Sequence, residues 1–173
     1  MSLSTLFDIP STALIWTAPP GFGKTSFLLE MIPVSKKKII FLSPLRAICE
    51  EFSDRVRKDL PSFFCETSDE FFKKKKAILI STPERLSEKI WVHIEENIEQ
   101  YLFVLDEVHL FIQWGYDFRP HLLEVFMRIV AQEISLLILS ATIENEYFSF
   151  IKEGLCLNFE NIYLVFRKII SIF

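Results

Sequence analysis

The sequence is poor in the features that would commit it to several large protein classes. It holds only 3 cysteines. Cys49, Cys65 and Cys156 are odd in number, far apart and without a CxxC pair. That favours reduced thiols in a cytoplasmic protein over a disulfide framework or a cysteine zinc site. No apolar run approaches the roughly 18–20 residues of a membrane span, so no membrane partner is expected. The N-terminal MSLSTLFDIP lacks a basic stretch followed by an apolar core, and no signal peptide is expected. Repeats and low-complexity stretches are absent. Excess positive charge is absent too: the net charge is −4 and the pI about 5.5. This argues against a histone-like coat on DNA but leaves room for a local basic groove. Lys36–Lys38 and Lys73–Lys76 are the only basic runs, each just ahead of an apolar segment, KIIFL or AILI. A solvated strand entry that discourages aggregation fits them, and so does contact with a phosphate backbone.

What the chain has in quantity is apolar side chains. Half of its 173 residues are hydrophobic and 18 are Phe. This is ample for one packed core in one domain of ordinary size. The mean hydropathy of +0.29 is high and predicts apolar surface facing a partner or another domain. One pattern recurs along the chain. ALIW ends in TAPPGFGKT, KIIFL in SPLR, AILI in STPER, YLFVL in DEVH and SLLIL in SAT. Four or five consecutive apolar residues suit strands buried on both faces of a parallel sheet. The segments between suit crossover helices. In LRAICEEFSDRVRKDL, Leu45, Ile48, Phe52 and Val56 share one face, with charges opposite. Strand alternating with helix predicts an α/β domain with a mainly parallel sheet and helices on both faces. Ligands of such sheets bind at the carboxyl ends of the strands, where all five polar clusters lie.

Ala18–Thr25, APPGFGKT, fits a phosphate-binding loop, with nucleotide-binding candidates Pro20, Gly21, Phe22, Gly23, Lys24, Thr25 and Ser26. Gly21 and Gly23 permit the backbone angles that aim N–H groups at phosphate oxygens. Lys24 would reach the β- and γ-phosphates of ATP, and Thr25 would place a hydroxyl on Mg2+. The alternative is a plain glycine turn between strand and helix. Asp106 and Glu107 follow a strand-like run. Asp106 would hold the metal, and Glu107 would orient and deprotonate the attacking water. Adjacent acids after a strand also simply start solvated loops. His109 is a polar link from this pair toward the next strand. Ser140 and Thr142, after SLLIL, are candidates for sensing the γ-phosphate, although a tripeptide such as SAT also occurs by chance.

In order, these clusters resemble the first motor domain of superfamily 2 helicases of the DExH type. GFGKT is similar to motif I, SPLR to motif Ia, STPER to motif Ib, DEVH to motif II and SAT to motif III. The resemblance runs from about residue 13 to 143. The stretch Gln113–Pro120, QWGYDFRP, resembles the aromatic-rich loop of RecQ-family helicases, with Tyr116 where a histidine is usual. SPL at 43–45 and PERL at 83–86 are similar to the same family. The resemblance implies a single RecA-like phosphate-loop domain with ATP and Mg2+ as cofactors. Lys24, Asp106, Glu107 and His109 are then catalytic, and Gln113, Ser140 and Thr142 couple the sites. The implied partner is single-stranded or tailed nucleic acid, DNA favoured over RNA. Its contacts are expected from Ser43, Pro44, Arg46, Thr82, Pro83, Arg85, Trp114, Tyr116, Phe118 and Arg119.

The residues themselves leave alternatives. Trp114, Tyr116 and Phe118 alternate, as in a strand packing on a core. Yet Gly115 and Pro120 disfavour a strand, and exposed aromatics beside an Arg make a stacking platform for bases. Thr82-Pro83 suits a capped helix start near Arg85, with or without a bound phosphate. Thr67–Asp69 is a weak candidate for a further strand contact. In the domain plan, residues 1–155 form the ATP-binding domain and 156–173 begin a linker toward a second RecA-like domain outside the sequence. That second domain would bring an arginine finger, whose loss costs roughly 10³–10⁵ in rate in related phosphate-loop enzymes. The family's adenine-reading segment carries a Gln, and residues 1–17 contain none. A helicase front half and a nucleotide-binding module that does not unwind are both compatible with these features.

Overall fold

A computed structural model describes residues 8–19, 21–141, 145–166 and 169–172. Two expected site residues, Pro20 and Thr142, lie outside them. Thr12–Thr17 forms β1, and a loop leads into α1 (Lys24–Val34). β2 (Lys38–Leu42) is followed by α2 (Arg46–Asp59) and the short α3 (Ser68–Lys73). β3 (Ile78–Ser81) runs into a 3-10 turn at Pro83–Arg85 and then α4 (Glu88–Glu95). β4 (Tyr101–Asp106) precedes two helices, α5 (Val108–Asp117) and α6 (Pro120–Ala131). β5 (Leu136–Ser140), α7 (Asn145–Asn158), β6 (Asn161–Phe166) and β7 (Ile169–Ile172) follow.

The strands form one sheet in the order β3-β2-β4-β5-β1-β6-β7. β1 to β6 are parallel, and β7 pairs antiparallel with β6. The continuous apolar runs are buried on both faces, as their composition requires. Alternate side chains go to opposite sides. Leu14 and Trp16 of β1 meet Leu28, Phe52 and Val56 of α1 and α2. Ala13 and Ile15 meet the opposite layer, with Phe111 of α5, Phe126 of α6 and Ile151 of α7. The fold is a RecA-like α/β domain with helices on both faces.

The expected boundary at residue 155 falls inside α7. Residues 161–166, expected as the start of a linker, instead form β6, paired with β1 over Thr12–Thr17. The apolar NIYLVF satisfies its backbone by joining the sheet beside β1, and Ile162, Leu164 and Val165 are buried there. The two lysine runs lie at the amino-terminal edge of the strands. Lys37 Nζ donates to Ser135 Oγ at 2.6 Å, Lys38 Nζ to the Phe72 carbonyl at 2.8 Å and Lys76 Nζ to the Pro33 carbonyl at 3.0 Å. They tie the sheet's amino edge together, away from the polar clusters. Thr67 caps α3, its hydroxyl accepting from the Glu70 N–H at 3.2 Å. Thr82 makes no such cap bond, and Pro83 opens a 3-10 turn where a longer helix start was expected.

Candidate nucleotide cleft and adjoining groove

β5 lies between β1 and β4, and this order builds the site. Thr17 is in register with Ser140, and Leu139 with Asp106. The Ala18 N–H donates to the Ser140 carbonyl at 3.1 Å, which pins the start of the phosphate loop to β5. Gly21 and Gly23 have φ of 78° and 89°, a region that glycine enters without strain. α1 starts at Lys24, directly after Gly23. The Lys24 ammonium donates to the Ala18 carbonyl at 2.9 Å, folded back on its own loop. Phe22 is half-buried and packs against the core on the α1 side, while Ser26 is exposed.

Lys24, Thr25, Asp106 and Glu107 line one cleft of about 230 Å³, whose apolar walls include Leu28, Phe41 and Phe52. Burial in this cleft, reinforced by the Glu107 charge and opposed by Lys24, pushes the Asp106 carboxyl up to about 6. A buried carboxyl so disfavoured as an anion is a natural ligand for a cation. Among the described residues no cluster of three or more His, Cys, Asp or Glu forms an all-protein metal cage. One carboxylate and one hydroxyl facing a phosphate loop is nonetheless the set that suits Mg2+, which takes its other ligands from phosphates and water.

Glu107 is held at φ 51° and ψ 49°, a left-handed conformation uncommon for a non-glycine residue. It lets the chain leave β4 and turn at once into α5. His109 Nδ1 lies 3.3 Å from Glu107 Oε2 and 3.5 Å from Ser140 Oγ. A single ring nitrogen thus stands between the acid just after β4 and the hydroxyl of β5, and the two compete for it. Gln113 follows His109 by four residues on α5, an exposed position on the same helix face.

The aromatic segment departs from its expected loop. Gln113–Asp117 belongs to α5, and only residues 118 and 119 connect it to α6. Gly115 is buried: a Cβ there would lie 2.6 Å from Leu123 Cβ and 3.0 Å from Leu123 N. Pro120 is the first residue of α6. The glycine and proline that argue against a strand therefore serve a tight helix–helix corner. In a helix a spacing of two points side chains to different sides, so the three aromatics do not form one row. Trp114 is half-buried on the core. The Arg119 guanidinium lies over its ring at 5.3 Å from the centroid, and the Phe118 ring stands 5.6 Å away. Tyr116 turns toward Phe150 of α7, ring centroids 6.3 Å apart. Tyr116 and Phe118 are 66% and 63% exposed, so their rings face solvent.

A groove beside this corner is lined by Pro44, Arg46, Thr82, Glu84, Arg85 and Arg119, among others. Arg119 Nε donates to Glu84 at 2.8 Å, its Nη2 meets the same carboxylate, and Nη1 donates to the Pro44 carbonyl at 3.2 Å. One arginine joins the segments after β2, β3 and α5. Arg46 pairs with Glu50 at 2.7 Å. Ser43 and Pro83 are buried and shape the turns from within, so neither is a surface contact. Cys49, also buried, hydrogen-bonds the Ser43 and Ser81 carbonyls, and burial pushes its thiol up to about 11. Glu84, Glu51 and Arg55 line these two depressions and were not singled out by the sequence. Glu84 stands inside PERL and was legible as the acid beside Arg85. Glu51 and Arg55 flank the apolar stripe of α2 four residues apart, a weak signal by itself.

Fold and cleft together define a RecA-like phosphate-loop domain. The DEAD/DEAH box helicase profile matches residues 9–150, and the chain belongs to that family. An 82-residue stretch is 34% identical to the ATP-dependent DNA helicase RecQ of Bacillus subtilis (strain 168), covering 46% of this chain and 14% of that protein. Among solved structures, the Pyrococcus furiosus Hef helicase domain is similar at a TM-score of 0.62 and 16% identity, over 94% of this chain and 37% of that one. The DUF1998 helicase MrfA, bound to DNA and AMPPNP, is similar at 0.60 and 19%, over 90% of this chain and 25% of that one. These likenesses show the fold, and the chain spans well under half the length of each of these three proteins. Among the described residues no helix is long and apolar enough to cross a membrane.

Proposed function

We propose that this domain binds Mg-ATP in the cleft between α1, α2 and β4 and binds a nucleic-acid strand in the adjoining groove. In a protein with a second RecA-like domain, it would hydrolyse ATP to move along that strand. The observation that carries the reading is the strand order β4-β5-β1, which brings Lys24, Thr25, Asp106 and Glu107 to one cleft. Lys24 leaves the Ala18 carbonyl for the phosphates. Asp106 and Thr25 would hold Mg2+, which when bound would neutralise charge on the phosphate oxygens. Glu107 orients the attacking water and takes its proton, and His109 passes the state of that acid to Ser140. To Gln113 and Thr142 we assign the coupling of the two sites that their motifs imply.

For the strand, Arg46, Thr82, Arg85 and Arg119 meet phosphates, Phe118 stacks a base, and Trp114 supports Arg119. Pro44 shapes the groove floor, and Tyr116 offers a second ring on the α7 side. DNA is favoured over RNA, in keeping with the RecQ relative, which is named as a DNA helicase. The direct test is an anisotropy titration of labelled single-stranded DNA into the chain and Phe118→Ala. Base stacking on an aromatic is worth about 1–3 kcal/mol, so the variant should bind about tenfold more weakly or worse. Its melting curve should be unchanged, because the ring is exposed. Equal affinity of the two proteins, or no saturable binding by the parent, contradicts the strand reading.

A further inference from the structure

α2 is a wall with two working sides. Arg46, Glu50, Asp54 and Arg57 face the groove, whereas Ile48, Glu51, Phe52 and Arg55 face the nucleotide cleft. At 3.6 residues per turn these two sets lie on opposite sides of the helix. Both arginines on the groove side are paired: Arg46 with Glu50 at 2.7 Å, and Arg57 with Asp54 at 2.8 Å and Glu66 at 3.0 Å. Arg55 is different. It is exposed at the cleft and makes no hydrogen bond, ion pair or ring contact with any described residue. Glu51, one turn earlier on the same side, is within reach by spacing yet does not pair with it.

We propose that Arg55 contacts the terminal phosphate of a bound nucleoside triphosphate and makes the cleft prefer triphosphate over diphosphate. The proposal rests on the reading of this cleft as the Mg-ATP site. The phosphate loop and Lys24 serve the phosphates from the β1 and α1 side, and Asp106 and Thr25 provide for the metal. The α2 side of the cleft carries one cation, and that cation is Arg55. A guanidinium presents a planar fork that matches two phosphate oxygens. An arginine supplied in cis on the first domain would add to whatever charge a second domain brings across the cleft.

The test compares calorimetric titrations of Mg-ADP and a non-hydrolysable Mg-ATP analogue into the parent chain, Arg55→Gln and Lys24→Ala. Loss of a charge-assisted contact to one phosphate group should weaken the analogue about tenfold in Arg55→Gln and leave ADP within about twofold. Arg55→Lys should recover part of the difference. Lys24→Ala should weaken both nucleotides. Arg55→Gln should melt with the parent, as the side chain has no partner to lose. If Lys24→Ala weakens both ligands but Arg55→Gln keeps the parent's ratio of analogue to ADP affinity, the Arg55 proposal falls alone. If the parent binds neither nucleotide, the reading of the cleft falls and this proposal with it.

Discussion

Asp106 carries opposing demands at the scale of one residue. Its carboxyl, ordinarily at 3.8, is raised to about 6 by burial first and by Glu107 second. The folded chain thus holds this proton to a higher pH than the unfolded chain does. Below the unfolded value both states are protonated and nothing is lost. Between about pH 4 and pH 6 the unfolded chain ionises first, and folding loses stability; above that the whole penalty applies. A rise of about 2 units corresponds to about 3 kcal/mol as an upper figure, at 1.36 kcal/mol per unit. Asp106→Asn should therefore stabilise the nucleotide-free chain at pH 7.5 by about 1–3 kcal/mol. The gain should shrink as the pH is lowered from 6 to 4. Urea unfolding at pH 7.5 and at pH 4 checks it, and a variant no more stable than the parent at pH 7.5 contradicts it. The motif was legible as an acid pair after a strand. The left-handed Glu107 that aims the pair was not, because only the tight β4–α5 turn demands it.

At the scale of elements, the strands were the most legible part, since a run buried on both faces has few other uses. The α5–α6 corner was the least legible. Read in isolation, alternating Trp114, Tyr116 and Phe118 carry a period of two, and Gly115 and Pro120 read as breakers. The structure resolves both signals through one contact, Gly115 against Leu123, which only tertiary packing reveals. Filling that space should be costly. Gly115→Ala gains helix propensity but drives a methyl into Leu123, and overpacking of this kind costs about 1–3 kcal/mol. A lowered midpoint in urea is expected, with Trp114 and Arg119 displaced. An unchanged midpoint would mean that α6 yields freely and that the corner is not a fixed mount for Arg119. β6 was missed for a related reason. NIYLVF has a strand's composition, but joining it to β1 requires knowing that β1 has a free neighbouring position.

At the scale of the molecule, β1, β5 and β4 gather distant residues onto one edge, and α2 separates the candidate nucleotide cleft from a charged groove. The parallel plan predicted the common edge. It did not predict the shared wall, because a helix's second side is set by what packs around it. The lysine runs, one of the two candidate sources of phosphate contact, lie at the opposite edge and bond carbonyls and hydroxyls of the domain itself. The groove's charge comes instead from arginines, most of them paired with acids, so the strand binding proposed for it would have to compete with internal pairs. All of this depends on the cleft being a nucleotide site. Isothermal titration of Mg-ATP into the parent chain and Lys24→Ala measures that directly. The account predicts one saturable site in the parent, weakened at least about tenfold in a variant that remains folded, since Lys24 supplies a charge-assisted contact to phosphate. Equal affinity in the two proteins, or no binding in either, would contradict it.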